Sequence, residues 1–148
     1  MFKIQTYEIH PELFYDPEGH FWLRVEGTRA RLGMEPLVQE SMGAFVVVQL
    51  DAPGKPLEKG DAFGTVEAEK YVGPLRTPVS GTLAVVNERL AENPRLPNLD
   101  PYGDGWMVEI EMNRFEEEKH DLLTGEAALR TWYEQEVKKY EEEGWLAE

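Results

Sequence analysis

No cysteine occurs among the 148 residues. That absence excludes disulfides, thiolate metal sites and a cysteine nucleophile, so any thiol chemistry has to come from an attached group. No stretch approaches the roughly 18 consecutive apolar residues of a membrane span. Basic residues are scarce: 15 Lys and Arg stand against 29 Asp and Glu, a formal net charge of −14. A surface this acidic repels phosphate, which argues against nucleic acids and anionic membranes as partners. Met1 to Tyr15 has no basic start followed by an apolar run, and it carries Glu8 and Glu12. It reads as neither a secretory signal nor a transit peptide, so the expected compartment is the cytoplasm. Histidine is rare too. His10, His20 and His120 show no metal-ligand spacing and no acidic or serine motif beside them. Gly60 and Gly64 lack the spacing and helix start of a phosphate-binding loop. Carboxylates are so frequent that no single pair is informative. A self-contained enzyme has little support.

What is present is the composition of one ordinary soluble domain, 41% hydrophobic and 30% charged. Prolines and glycines punctuate short apolar runs through the first two thirds, the mark of a β-rich domain with many turns. Phe21 to Glu26 and Ala30 to Met34 flank a Glu26-Gly27-Thr28-Arg29 turn and predict a hairpin. Phe45 to Leu50 (FVVVQL) is short, apolar and β-branched, and predicts a buried strand. Ala62 to Ala68 and Thr82 to Val86 predict further strands. Trp106 to Met112 alternates, with Trp106, Val108, Ile110 and Met112 on one face.

Helical signals are fewer. Glu35 to Met42 predicts a short helix ending at Gly43, with Pro36 in its first turn. Asn87 to Glu92 reads as a single turn stopped by Pro94. The strong helix is C-terminal: Leu129, Trp132, Tyr133, Val137 and Tyr140 form one apolar stripe, with Thr124 as the expected cap and Gly144 as the stop. Residues 111–148 hold 12 acidic and 5 basic residues. That reads as a solvated helix face or, alternatively, a partner-docking surface.

One position stands out. Lys70 lies between the strand 62–68 and the segment Pro74 to Gly81, which places it at a hairpin tip with its amine in water. Most lysines are merely solvated charges, but this one has a distinctive frame. Gly54 lies sixteen residues before it and Gly81 eleven after it, both in turns. Two strand–turn–strand halves around a central lysine resemble the lipoyl and biotinyl carrier domains. A biotin carrier is disfavoured, because its lysine is usually flanked by methionines and the flanks here are Glu69 and Tyr71.

From His20 to Met112 the sequence resembles the H-protein family of the glycine cleavage system. His20-Phe21-Trp22-Leu23 resembles its HEWV-type opening, and Gly33-Met34-Glu35-Pro36-Leu37-Val38-Gln39 its GITxxAQ segment. Leu50 with the following turn resembles its VxLP turn. Lys59-Gly60-Asp61-Ala62-Phe63-Gly64 is close to its KGDxFG, and Glu67-Ala68-Glu69-Lys70 resembles its ESVK site. Pro78-Val79-Ser80-Gly81 matches the PxSG turn. Asn87-Glu88, Leu90 to Pro94, Asn98 and Pro101-Tyr102-Gly103-Asp104-Gly105-Trp106 match its later signature.

The resemblance implies a mainly β fold, a lipoyl/biotinyl-type barrel-sandwich hybrid with a short helix and a C-terminal helix. It implies a single lipoyl-carrier domain over 1–148, with its core at about 20–112 and an acidic helical extension at 113–148. It further implies lipoic acid joined to Lys70 through an amide, attached by a lipoate ligase or lipoyl transferase. The implied role is that of a carrier and not an enzyme. It would shuttle an aminomethyl group between glycine decarboxylase, aminomethyltransferase and dihydrolipoamide dehydrogenase, with neither nucleic acid nor membrane as partner. Glu67 matches the family's Glu, either as a guide for the ligase or as a charge that blunts a strand edge. Tyr71 either shelters the arm or covers the hairpin. Glu69 reads as a solvated charge, and Trp22 and Trp106 as core or cover residues. Glu69 and Tyr71 replace the family's Val and Ala beside the lysine. Tyr71, Gly73 and Pro74 together resemble H-like lipoate-binding proteins of bacterial sulfur oxidation, which is the alternative reading. An interaction module that has lost the cofactor is a third.

Overall fold

The computed structural model describes residues 1–146. Three antiparallel sheets form the frame of the fold. Strands β1 (Phe2–Ile4) and β2 (Tyr7–Ile9) form a small hairpin. Strands β3 (Phe14–Tyr15), β4 (Phe21–Glu26) and β5 (Arg29–Met34) begin a six-stranded sheet. Helix α1 (Pro36–Met42) follows, then β6 (Phe45–Leu50), β7 (Pro56–Leu57), β8 (Ala62–Ala68), β9 (Val72–Arg76) and β10 (Gly81–Val86). The short helices α2 (Arg89–Glu92) and α3 (Leu96–Leu99) precede β11 (Val108–Met112). The chain closes with α4 (Phe115–Glu118), a 3₁₀ turn at Lys119–Asp121 and α5 (Glu126–Glu143). The large sheet runs β3-β4-β5-β11-β10-β7, and a three-stranded sheet runs β6-β8-β9. This is the mainly β architecture with a C-terminal helix that the sequence predicts. None of the described helices is long and apolar enough to cross a membrane.

Two apolar clusters hold the elements together. The first lies between the two larger sheets and contains Phe21, Leu23, Leu32, Phe45, Phe63, Val66, Leu75, Leu83 and Ile110. The alternation of side chains along a strand sends the residue between Phe21 and Leu23 to the opposite face. That residue is Trp22, fully buried in the second cluster beside Ile9, Tyr15, Leu37, Leu129, Tyr133 and Val137. Strand β4 is therefore covered on both faces. The apolar stripe of α5 packs on the second cluster through Leu129, Tyr133, Val137 and Tyr140, while Trp132 is only partly buried.

Several expectations are corrected. FVVVQL forms strand β6 but is not a buried strand. It is an edge of its sheet with a bulge between Phe45 and Val47, and Val46 is exposed. Thr124 does not cap α5. Gly125 occupies the cap position without a side-chain bond, and the Thr124 hydroxyl donates to the Leu13 carbonyl at 2.8 Å. Gly144 ends the helix in the left-handed conformation, as expected. The acidic extension is not uniformly solvated: Glu118 is buried and accepts from the Ser80 amide (2.7 Å) and hydroxyl (2.6 Å). The strands before residue 20, strand β7 and helices α3 and α4 have no counterpart in the sequence prediction.

The family-like turn at Gly81 is a steric requirement. A Cβ there would sit on the backbone carbonyl of Glu111, the facing strand β11. Gly81→Ala is expected to cost about 2–3 kcal/mol through backbone displacement. The midpoint of urea denaturation measures it, and an unchanged midpoint contradicts the steric account.

Candidate functional site

Lys70 stands where β8 turns into β9, and the turn is closed by the Ala68 amide donating to the Tyr71 carbonyl at 2.7 Å. The side chain is exposed. Lys55, Lys59 and Lys119 pair with Asp51, Asp121 and Glu116, whereas Lys70 has no ion pair among the described residues. An exposed, unpaired amine on a fixed turn is what a modifying enzyme needs in order to reach it.

The turn is fastened rather than loose. The Lys70 amide donates to the Met42 carbonyl at the end of α1 (2.8 Å), and the Glu69 amide donates to the Ala44 carbonyl (3.1 Å). The Glu69 carboxylate accepts from the Ala44 amide at 2.7 Å. Glu69 is thus not merely a solvated charge; it ties the tip to the segment leading into β6. Asn98 holds the same corner from α3. Its side-chain oxygen accepts from the Phe45 amide (2.9 Å), and its nitrogen donates to the Gly43 carbonyl (3.3 Å). Removing the carboxylate in Glu69→Ala is expected to cost at most about 1 kcal/mol, since the group is exposed. Faster hydrogen exchange at the Ala44 amide would report it, and an unchanged rate would show the bond to be immaterial.

The other predicted residues fall as follows. Glu67 is exposed on β8, but β8 is the central strand of its sheet, paired to both β6 and β9. It therefore does not blunt a strand edge. Tyr71 is 38% exposed and folds back over Gly73, where an added Cβ would collide with the phenol oxygen. Gly73 supplies the space that Tyr71 occupies. Trp22 is a core residue whose indole nitrogen donates to the Pro101 carbonyl at 2.9 Å. Trp106 lies under the Arg31 guanidinium, 4.3 Å from the ring centroid, and is a cover residue. Asn87 donates to the carbonyls of Asp104 (2.9 Å) and Trp106 (2.7 Å), so that part of the signature is scaffold.

Two hollows flank the turn. One, of about 420 Å³, is lined by Tyr71, Pro74, Leu75, Phe21, Val38 and Met42, with Asp16 and Glu18 also on its wall. The other, of about 430 Å³, includes Lys70 itself with Glu69, Glu40, Arg95 and Asn98. A chain attached at Lys70 has an apolar wall on one side and a polar one on the other. The apolar hollow was not legible in sequence, because its lining comes from β4, α1, β9 and α5.

Sequence reading also missed a buried polar cluster. His20 places one ring nitrogen 2.7 Å from Glu35 and the other 3.0 Å from Glu136. Glu35 is fully buried yet satisfied. It caps α1 by accepting from the Leu37 and Val38 amides, both at 3.0 Å, and it accepts from the Tyr133 hydroxyl at 2.5 Å. Burial pushes the Tyr133 hydroxyl far above the ordinary phenol value, and the Glu35 carboxylate reinforces the shift. The acidic partners of His20 lie 15 and 116 residues away, so local motif inspection could not find them. A Glu immediately before a Pro at a helix start was the one available signal.

Comparison with known proteins places this geometry in context. The family described as "Glycine cleavage H-protein" matches residues 13–135. The glycine cleavage system H protein of Salinibacter ruber is 45% identical over 102 residues, covering 69% of this chain and 82% of the relative. That of Rubrobacter xylanophilus is 39% identical over 129 residues, covering 87% and 98%. The crystal structure of a glycine cleavage system H protein from Mycobacterium marinum superposes with a TM-score of 0.69 at 27% identity, covering 83% of this chain and 98% of that one.

Proposed function

The chain belongs to the glycine cleavage H-protein family, and from that premise we propose that it is a lipoyl carrier of the glycine cleavage system with Lys70 as its attachment point. The observation that carries this reading is the exposed Lys70, without an ion pair among the described residues, on a turn bolted to α1. The residues present suit the group. The amine is free to form an amide, and the hollow beside Tyr71, Pro74 and Leu75 offers apolar surface to an arm that amide formation has made uncharged. When bound, lipoate supplies two sulfurs that accept a group and electrons and return them, which a chain without cysteine cannot do alone.

The chain's own residues present, orient and shelter. Met42, Ala44 and Glu69 hold the turn in one orientation. Tyr71 contacts the first part of the arm, and Glu67, exposed three positions before the lysine, guides the ligase or transferase. In this reading the protein is a carrier domain, a substrate of its partners and not a catalyst. Its contribution is a high effective concentration of cargo at each partner's site. Glycine decarboxylase, aminomethyltransferase and dihydrolipoamide dehydrogenase are those partners, in the cytoplasm.

A second reading has its own observation. Glu69, Tyr71, Gly73 and Pro74, which surround the lysine, depart from the glycine-system pattern, and docking surfaces choose partners by local shape and charge. They favour a carrier for oxidation of reduced sulfur compounds. The deciding experiment mixes lipoylated protein with glycine decarboxylase from the same organism and follows labelled bicarbonate into the glycine carboxyl. Exchange well above the unmodified control supports the glycine role. Background exchange, with a standard H protein active alongside, transfers the assignment to the sulfur carrier. Intact mass of protein from its native host, unshifted by a lipoyl group, identifies an unmodified module instead.

A further inference from the structure

His20 and Glu35 are buried and neither contacts Lys70, although His20 lines the far wall of the hollow beside Tyr71. They nevertheless lie on a continuous set of bonds between α5 and the Lys70 turn, beside the direct tie that the Tyr133 hydroxyl makes to Glu35 and to the Leu37 amide. From α5, Glu136 meets one nitrogen of His20 at 3.0 Å, and the Tyr140 hydroxyl lies 3.4 Å from the same atom. The other nitrogen meets Glu35 at 2.7 Å. Glu35 holds the first turn of α1 through the Leu37 and Val38 amides, and the last residue of that helix, Met42, accepts the Lys70 amide. Helix α1 has only seven residues, so a shift at its cap is a shift at its end. His20 also adopts a left-handed backbone, φ 61. That conformation is costly for a residue with a side chain, and the surrounding bonds have to hold it.

We propose that His20, Glu35 and Glu136 are positioning residues: together they form a clamp through which the seating of α5 on the β core holds the Lys70 turn in its presented orientation. This rests on reading Lys70 as the attachment point only for its consequence; the coupling itself concerns the unmodified chain.

The clamp is pH-dependent with a definite sign. The groups facing His20 are Glu35 at the head of α1, Glu136 and Tyr140 on α5, and Asp16 in the turn before β4, whose carbonyl accepts the His20 amide at 2.9 Å. Both ring nitrogens face carboxylates, which requires both to carry protons. Burial alone would push the imidazole down, but Glu35 and then Glu136 outweigh it and raise it above its ordinary 6.5. A raised folded-state value means the stabilisation is complete below the unfolded value and is lost as pH rises through the folded one.

The test is amide hydrogen exchange on the full, unmodified chain as wild type, Glu136→Gln and Glu134→Gln. Glu134 is exposed on the same helix, so its substitution makes the same charge change away from His20. Glu136→Gln is expected to lower protection of the Lys70 amide roughly tenfold together with the α5 amides, the loss of one charge-assisted bond. Protection of Leu32 and Ile110, in the central strands, should stay the same, and Glu134→Gln should change none of these. In the wild type, Lys70 protection should fall with the titration of the His20 ring nitrogens followed by NMR, and in Glu136→Gln that titration should move to lower pH. Loosening of α5 while Lys70 stays protected, or Lys70 protection indifferent to the His20 titration, overturns the clamp. In lipoylation kinetics on the same variant, a raised KM at unchanged kcat is the expected split. If the wild type is never lipoylated while the exchange results hold, the attachment reading fails and the clamp stands.

Discussion

Lys70→Arg yields a protein that folds with wild-type stability and carries no lipoyl group. The stability half of that expectation follows from exposure: the side chain is in water and has no ion pair among the described residues, so its exchange for another cation should change stability by less than about 0.5 kcal/mol. What fastens the turn is the Lys70 backbone amide, which arginine retains. The chemical half follows from the head group. Arginine keeps the positive charge, but its delocalised guanidinium stays protonated in proteins and does not form the stable amide that a lysine amine forms. The loss should be complete rather than partial. Co-expression with a lipoate ligase followed by intact-mass measurement reads it directly. A lipoyl adduct on the variant would move the site to another lysine, and Lys3 and Lys138, which are exposed and like Lys70 have no ion pair among the described residues, would be the first to examine.

Truncation after Met112 abolishes the cooperative fold. The removed segment contributes Leu122, Leu129, Tyr133, Val137 and Tyr140 to the buried set. Losing one such side chain from a core costs about 2–5 kcal/mol, and a domain of this size has only about 5–15 kcal/mol in total. The loss also strips polar partners. Glu35 loses the Tyr133 hydroxyl, His20 loses Glu136, and Ser80 loses Glu118, leaving buried groups unsatisfied. Trp22 and Tyr15, both fully buried now, would face water along the uncovered face of β4 and β3. The expected result is insolubility or a thermal scan without a sharp transition. A soluble fragment melting at the full-length temperature would show that α5 is an appendage. Tyr133→Phe isolates the polar share: it keeps the ring in the core and removes the hydroxyl from Glu35 and from the Leu37 amide, at about 1–3 kcal/mol.

Much of this architecture is written in local pattern. The hairpin of β4 and β5 follows from alternating side chains around Gly27 and Thr28, and α5 from a stripe at helical spacing, because both signals arise within one element. The departures share one physical cause. Whether Val46 is buried depends on whether another element covers its face of the β6-β8-β9 sheet, and Val46 is exposed. Whether Glu69 is solvated depends on the Ala44 amide, 25 residues away. Helices α3 and α4 have four residues each, too few for a period to declare itself.

By itself, then, the sequence determined the β-rich class, the amphipathic C-terminal helix and the lysine at a tip. These follow from side-chain periodicity and turn chemistry, which act over a few residues. Only the tertiary structure decided how that lysine is held. The Met42 carbonyl under its amide, the apolar hollow beside Tyr71 and the carboxylates of Glu35 and Glu136 on either side of His20 come from segments far apart in the chain. A buried carboxylate becomes tolerable only where hydrogen-bond donors converge on it, and for Glu35 the His20 ring, the Leu37 and Val38 amides and the Tyr133 hydroxyl meet only once the turn before β4, α1 and α5 have packed together.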